Sequence, residues 1–181
     1  MKRLLFLLVV MTLVAVLAVN FGLRSYQIFT HEELIVVIEQ EPAPANSGFD
    51  FQLRVLPMIA GKEGQVEVYG IYGDQWMVGG EYLKWHPWLN MLGLRNRYKL
   101  TRLSGRYYQA ADEQNGPRSV YNLNGGTSPA WFFLYKVQEF IPFVQAVYGN
   151  AAYTVAQPGA GWEVSVGYSG YLIEPIRSRF K

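Results

Sequence analysis

The sequence predicts an α+β protein, predominantly antiparallel β. Its body is a curved sheet, sandwich or barrel-like fold with one packed helix, preceded by a single N-terminal transmembrane helix. Three observations predict it: an uninterrupted apolar run at the N-terminus, several segments in which apolar and polar residues alternate, and one segment with helical spacing behind a capping serine. Half of the 181 residues are hydrophobic and 17% are charged, enough apolar material for a real core and far from the composition of a disordered chain. There is no cysteine, which excludes disulfide frameworks, thiol nucleophiles and thiolate metal sites.

The first element is the anchor, residues 1–24. Lys2 and Arg3 precede an apolar run over residues 4–19, and Asn20, Phe21, Gly22 and Leu23 extend it to Arg24. Twenty helical residues at about 1.5 Å each reach about 30 Å, the thickness of a hydrocarbon core. Most of them are Leu, Val or Phe, and together these contribute on the order of −4 to −8 kcal/mol to insertion, which outweighs Asn20 near one end. The rival reading is a cleaved secretory signal, with Val16 and Ala18 near the cut; the run is longer than a usual signal core and lacks a polar stretch before the cut. Three positive groups lie before the span and Arg24 alone lies close after it. The N-terminus is therefore expected in the cytoplasm and the body on the far side, which in a Gram-negative cell is the periplasm. The next most apolar stretch, residues 131–147, is broken by Lys136, Glu139 and Pro142 and reads as soluble.

Residues 25–181 form the single β-rich domain. Leu34 to Ile38 reads as a doubly buried strand or as a continuation of the anchor helix. Phe49, Phe51, Leu53 and Val55 alternate with Asp50, Gln52 and Arg54, the two-residue period of a half-buried strand. The period returns at Val66 and Val68, and again at Trp162, Val164, Val166 and Tyr168. Gly-containing turns at residues 60–64, 72–74 and 157–161 separate these runs, so antiparallel hairpins are expected. Ser128 is a good N-cap with Pro129 at the first helical position, and Phe133, Val137, Phe140, Ile141 and Val144 share one face, expected to cover the open side of the sheet.

Gly73-Asp74-Gln75-Trp76, Leu83-Lys84-Trp85, Leu92-Gly93-Leu94, Tyr98-Lys99-Leu100, Leu103-Ser104-Gly105-Arg106-Tyr107 and Ala146-Val147-Tyr148-Gly149 carry a resemblance. With the short anchor, they resemble a family of small Gram-negative single-pass membrane proteins commonly labelled cation/multidrug efflux pump. The resemblance covers nearly the whole chain and brings no catalytic or ligand-binding residues with it. One span without an internal charge does not enclose a polar path through lipid, and no sustained heptads are present, so a role in transport would be that of an accessory subunit.

No catalytic pattern is visible and no cofactor is implied. His31-Glu32-Glu33 lacks the second histidine of a zinc-protease helix, because position 35 is Ile35; His31 reads as a solvated juxtamembrane residue. His86, before Pro87, reads as a turn residue, and Asp112-Glu113 as part of a solvated turn. What stands out is charge segregation. Between residues 82 and 111 lie Lys84, Arg95, Arg97, Lys99, Arg102 and Arg106, with no acid. With Lys2 and Arg3 set aside, cations and acids are equal in number, so everything outside this block is net −6. Trp85, Trp88, Leu89, Leu92, Leu94 and Tyr98 are threaded through the block, a mixture found where proteins meet lipid headgroups. Two readings compete: Trp85, Trp88 and the leucines plug one end of the core, or the block contacts the bilayer or a membrane-protein partner. Nucleic acid is not expected for a periplasmic body. Two functions follow: an envelope module binding lipid or a membrane-protein partner, favoured by an exposed apolar patch beside the anchor, or a barrel-like domain binding an apolar small molecule, favoured by a large apolar cavity.

Overall fold

The computed structural model of the protein describes residues 2–59 and 61–176, apart from the side chain of Arg24. The turn residue Ala60, the Arg24 side chain and the C-terminal end of the domain therefore lie outside the described residues. Helix α1, Lys2–Thr30, is long and apolar enough to cross a membrane. It runs past the sequence boundary at residue 24, since residues 25–30 contain neither Gly nor Pro and Phe29 packs edge-on against Tyr168 at 4.7 Å. At about 1.5 Å per residue its 29 residues reach about 43 Å, so a span starting near Leu4 leaves roughly 10 Å of helix above the hydrocarbon.

The body is two antiparallel sheets packed face to face over one core. The first has the order β10 (Gly170–Pro175), β9 (Gly161–Gly167), β1 (Glu33–Pro42), β2 (Phe51–Ile59). The far edge of β2 is shared by the short β3 (Lys62–Glu63) and β4 (Glu67–Ile71). The second has the order β7 (Val120–Asn122), β6 (Arg97–Arg106), β5 (Gln75–Trp85), β8 (Val144–Val155). The sheets do not close into a barrel, which leaves the sandwich among the predicted alternatives. Leu34 to Ile38 belongs to β1, and a bulge between Leu34 and Val36 explains why Ile35 and Val36 are both buried.

Alternation in β2 and β9 works as the sequence predicts: Phe51, Leu53 and Val55 meet Trp162, Val164 and Val166 in the core. Val66 and Val68 stay exposed, because β4 is an edge strand. Trp76 of β5 stands edge-on to Trp162 of β9 at 5.3 Å, locking one sheet on the other. Three tyrosines add hydrogen bonds across the sandwich: Tyr82 Oη donates to Gly167 O at 2.5 Å, Tyr121 Oη to Gly70 O at 2.7 Å and Tyr171 Oη to Glu81 O at 3.3 Å. Burial pushes the phenols of Tyr82 and Tyr171 above their ordinary pKa, so all three stay donors at neutral pH.

After the short helices α2 (Pro87–Met91) and α3 (Ala110–Asn115), helix α4, Pro129–Val137, starts as predicted. Ser128 Oγ accepts from Trp131 N at 3.2 Å, and Pro129 sits in the first turn. Glu81 fixes this cap to β5, accepting from Ser128 N at 2.5 Å and from Ser128 Oγ at 3.1 Å. After a single 3-10 turn, Gln138 Oε1 accepts from Val147 N at 2.7 Å. The helix packs on β8, but its shared apolar face does not cover the sheet: Phe133 is 64% and Phe140 84% exposed. These three bonds hold the segment by its ends and leave Phe132, Phe133 and Tyr135 outward.

Candidate functional site

The site grows from the end of the sandwich where α1 leaves. Trp85 closes β5, and the chain turns through His86 into the short helix α2, Pro87–Met91, which packs against α1. Pro87 starts α2 without wasting an N–H. Gly93 ends it at φ 102°, and the bonds Leu94 N to Leu89 O (3.0 Å) and Gly93 N to Asn90 O (2.9 Å) form a Schellman motif. That motif turns the chain back into β6. It also leaves Leu92 at 72%, Trp88 at 49% and Leu94 at 38% exposure. The segment after α4 joins the same end, since His86 N donates to Phe143 O at 3.0 Å and the Trp85 and Phe143 rings lie 6.4 Å apart. Phe140 and Phe143 are exposed there too. The result is a rim of apolar side chains around the base of the anchor.

Of the predicted pair, Trp85 is half-buried, with Nε1 donating to Arg95 O at 3.0 Å, while Trp88 lies on the rim. Neither Trp88 nor Leu92 nor Leu94 plugs the core, which is filled instead by Trp76, Tyr82 and Trp162.

The cations do not form one patch. Arg97 pairs in register with Leu83, Lys99 with Glu81, Arg102 with Gly79 and Arg106 with Gln75, so β6 carries them from the anchor end to the far end. Nine residues at about 3.3 Å each separate Arg97 from Arg106 by roughly 30 Å. Arg95, Arg97 and Lys84 stand at the rim. Lys84 Nζ lies over the Tyr168 ring, 3.8 Å from its centroid, and burial there pulls its pKa below the usual lysine value. Lys99 Nζ is held by Gly126 O at 2.7 Å, and the Arg106 guanidinium lies over Tyr153, 4.8 Å from the ring centroid. Arg102 is exposed on the outer face of the second sheet. Among the described residues no ion pair engages any of the six; Arg54 pairs with Glu39 and Glu41, at 3.6 and 3.2 Å.

Between the end of α1 and the body lies an open cleft of about 670 Å³. Gln27, Ile28, Thr30 and His31 form one side, and Asn90, Arg95, Asn96 and Tyr98 are among the groups opposite. Glu33 lies beside Tyr98, whose phenol is pushed up to about 12, first by burial and then by that carboxylate. Among the described residues, no cluster of three His, Asp or Glu side chains is arranged to hold a metal ion. Sequence reasoning missed the cleft, because its walls come from five stretches of chain, around residues 27–33, Tyr82, Asn90, residues 93–98 and residues 166–168. It also missed Phe140 and Phe143 as surface residues. The Gly93 turn was the one local signal, since Leu-Gly-Leu after a proline-started helix marks a tight reversal. Compared with protein-family models, with curated proteins and with solved structures, the chain matches none.

Proposed function

We propose that the protein is a membrane-anchored envelope module whose sandwich is held with its rim against the bilayer, engaging the lipid surface or a membrane-protein partner there. One observation carries this reading: Trp88, Leu92, Leu94, Phe140 and Phe143 are exposed together at the end from which a membrane-length helix emerges. Exposed apolar groups gathered in one place mark an interaction surface, and tryptophan with arginine suits the headgroup layer. With roughly 10 Å of α1 above the hydrocarbon, α2 would stand at headgroup level. Lys2 and Arg3 favour a cytoplasmic N-terminus and a periplasmic body at the inner membrane. The resemblance to the efflux-labelled family enters here as an accessory role beside a transport complex. An apolar small molecule inside the body is disfavoured, since the core is filled by side chains and the sheets do not close into a barrel. The full-length protein should stay with membranes after alkaline carbonate washing, and protease added to spheroplasts should digest the body. A mature chain starting near Val19 in the soluble periplasm would overturn the proposal.

A further inference from the structure

Two cations of the basic block, Arg102 and Arg106, take no part in the rim. Alternate residues of a strand share a face, so both flank Ser104 on the outer face of the second sheet, toward the end far from α1. Arg118 reaches the same place from the neighbouring strand, since it stands two residues before Val120, which pairs with Ser104. The three arginines line one small cavity of about 130 Å³, with Met77 of β5 and Ser104 among its other walls. The loop that carries Arg118 is tied down on both sides of it. Tyr107 Oη donates to Pro117 O at 3.1 Å, Arg118 Nη2 to Glu113 O at 2.9 Å and Gly105 N to Ser119 O at 3.0 Å. The site is therefore built in advance of any ligand.

Three arginines around one cavity repel one another, and the chain does little to offset this. Among the described residues, Glu113 is the one carboxylate that lines the cavity, its Oε2 already accepts from Tyr107 N at 2.7 Å, and no ion pair engages Arg102, Arg106 or Arg118. A surplus of positive charge is left around a space that suits one small ion. A water molecule takes about 30 Å³ of liquid, so the cavity has room for four or five non-hydrogen atoms and not for a whole nucleotide or lipid headgroup. Guanidinium forks match the oxygens of a phosphoryl group with paired, charge-assisted hydrogen bonds. We propose that this cavity binds the phosphoryl group of a phosphate monoester from solution, held by Arg102, Arg106 and Arg118, with the rest of the ligand outside on the sheet face beside Tyr153. A lipid phosphate is not the source, because β6 carries the site roughly 30 Å from the anchor end. That exclusion rests on the membrane contact proposed for the rim; binding of phosphate itself does not.

The test is isothermal titration calorimetry of the full-length protein in mild detergent, with inorganic phosphate and with phenyl phosphate, chloride holding the ionic strength constant. Saturable binding of one phosphate per chain is expected. Arg102→Gln should weaken it about tenfold or more, as the loss of a charge-assisted hydrogen bond requires. Arg102 is exposed, so this variant should keep its fold, and its thermal unfolding without phosphate checks that. Arg118→Gln should weaken binding as well, whereas Arg54→Gln, on the other sheet, should not. No saturable binding, or equal losses from Arg102→Gln and Arg54→Gln, would overturn the proposal. So would acetate competing as well as phosphate, because the cavity would then select negative charge alone. Dioleoyl phosphatidic acid presents the same monoester on a membrane. In nanodiscs holding the full-length protein it should fail to displace phenyl phosphate, and displacement would overturn the assignment to a ligand from solution.

Discussion

The two ends of the sandwich solve the same problem, how to turn strands around, in different ways. At the far end, carboxylates close the loops from within: Asp50 accepts from Gly73 N, Asp74 from Tyr108 N and Glu113 from Tyr107 N, each at 2.7 Å. Backbone donors that would otherwise be orphaned are satisfied, and the acids are spent on the fold. At the anchor end the turns are made by Pro87, Gly93 and the ring pair of Trp85 with Phe143, and the groups left over are apolar side chains and unpaired cations. Among the described residues Leu92 and Phe140 stay largely uncovered, at 72% and 84% exposure. The difference separates groups that hold the fold from groups that the described fold leaves exposed.

Core and rim should respond very differently to truncation. Trp76 is fully buried against Trp162, and Trp76→Ala is expected to cost about 3–5 kcal/mol in denaturant unfolding of the full-length protein. The double change Leu92→Ser with Phe140→Ser should alter that stability by less than about 0.5 kcal/mol per site. It should nonetheless reduce quenching of tryptophan fluorescence by brominated lipid. A large loss of stability from the rim variant would make those residues part of the core after all.

The cations at the two ends of β6 should differ in the same way. In vesicles containing phosphatidylglycerol, Arg95→Glu with Arg97→Glu should remove the attraction of the rim to the surface, worth about 1 kcal/mol per cation at low salt and less as salt rises. Arg102→Glu with Arg106→Glu, at the far end of β6, should leave it unchanged. Equal effects from the two pairs would restore the block as a single patch.

The smallest expected effect is a matter of pH. The Tyr98 phenol is raised to about 12 in the folded protein against an ordinary value near 10, so the folded state holds this proton more tightly than the unfolded one. Its contribution is fully present below pH about 10 and is lost as pH rises toward 12. Tyr98→Phe should flatten the alkaline limb of a stability-against-pH curve, measured by unfolding at several pH values.

Much of the sandwich was legible because β2 and β9 alternate cleanly, and a pleated strand leaves such residues no other arrangement. β5 was not, since a bulge at Gly79 and Gly80 shifts its phase and buries Glu81 and Tyr82 side by side. The basic block looked like one patch because its residues are neighbours in sequence; a strand draws neighbours out along its length, and the register of β6 on β5 is a long-range fact. Helix α4 failed in the opposite way. Helical spacing shows that Phe133, Val137 and Phe140 share a face, but whether anything covers that face depends on where Glu81 and Val147 fix the two ends of the segment. The cleft could not be read at all, being assembled from five separate segments.

The anchor end, proposed to meet the bilayer, and the far end are separated by about 30 Å along β5. Leu92 marks the first end, and Val155, paired with Gln75, marks the second; both are exposed, and the chain has no cysteine of its own. Leu92→Cys and Val155→Cys, each labelled with an environment-sensitive fluorophore in lipid nanodiscs, therefore report the two ends independently. Blue-shifted emission and quenching by lipid-borne quencher are expected for the label at position 92, with a water-like label at position 155. Water-like emission at both positions, or lipid contact at position 155 alone, would contradict the membrane contact proposed for the anchor end.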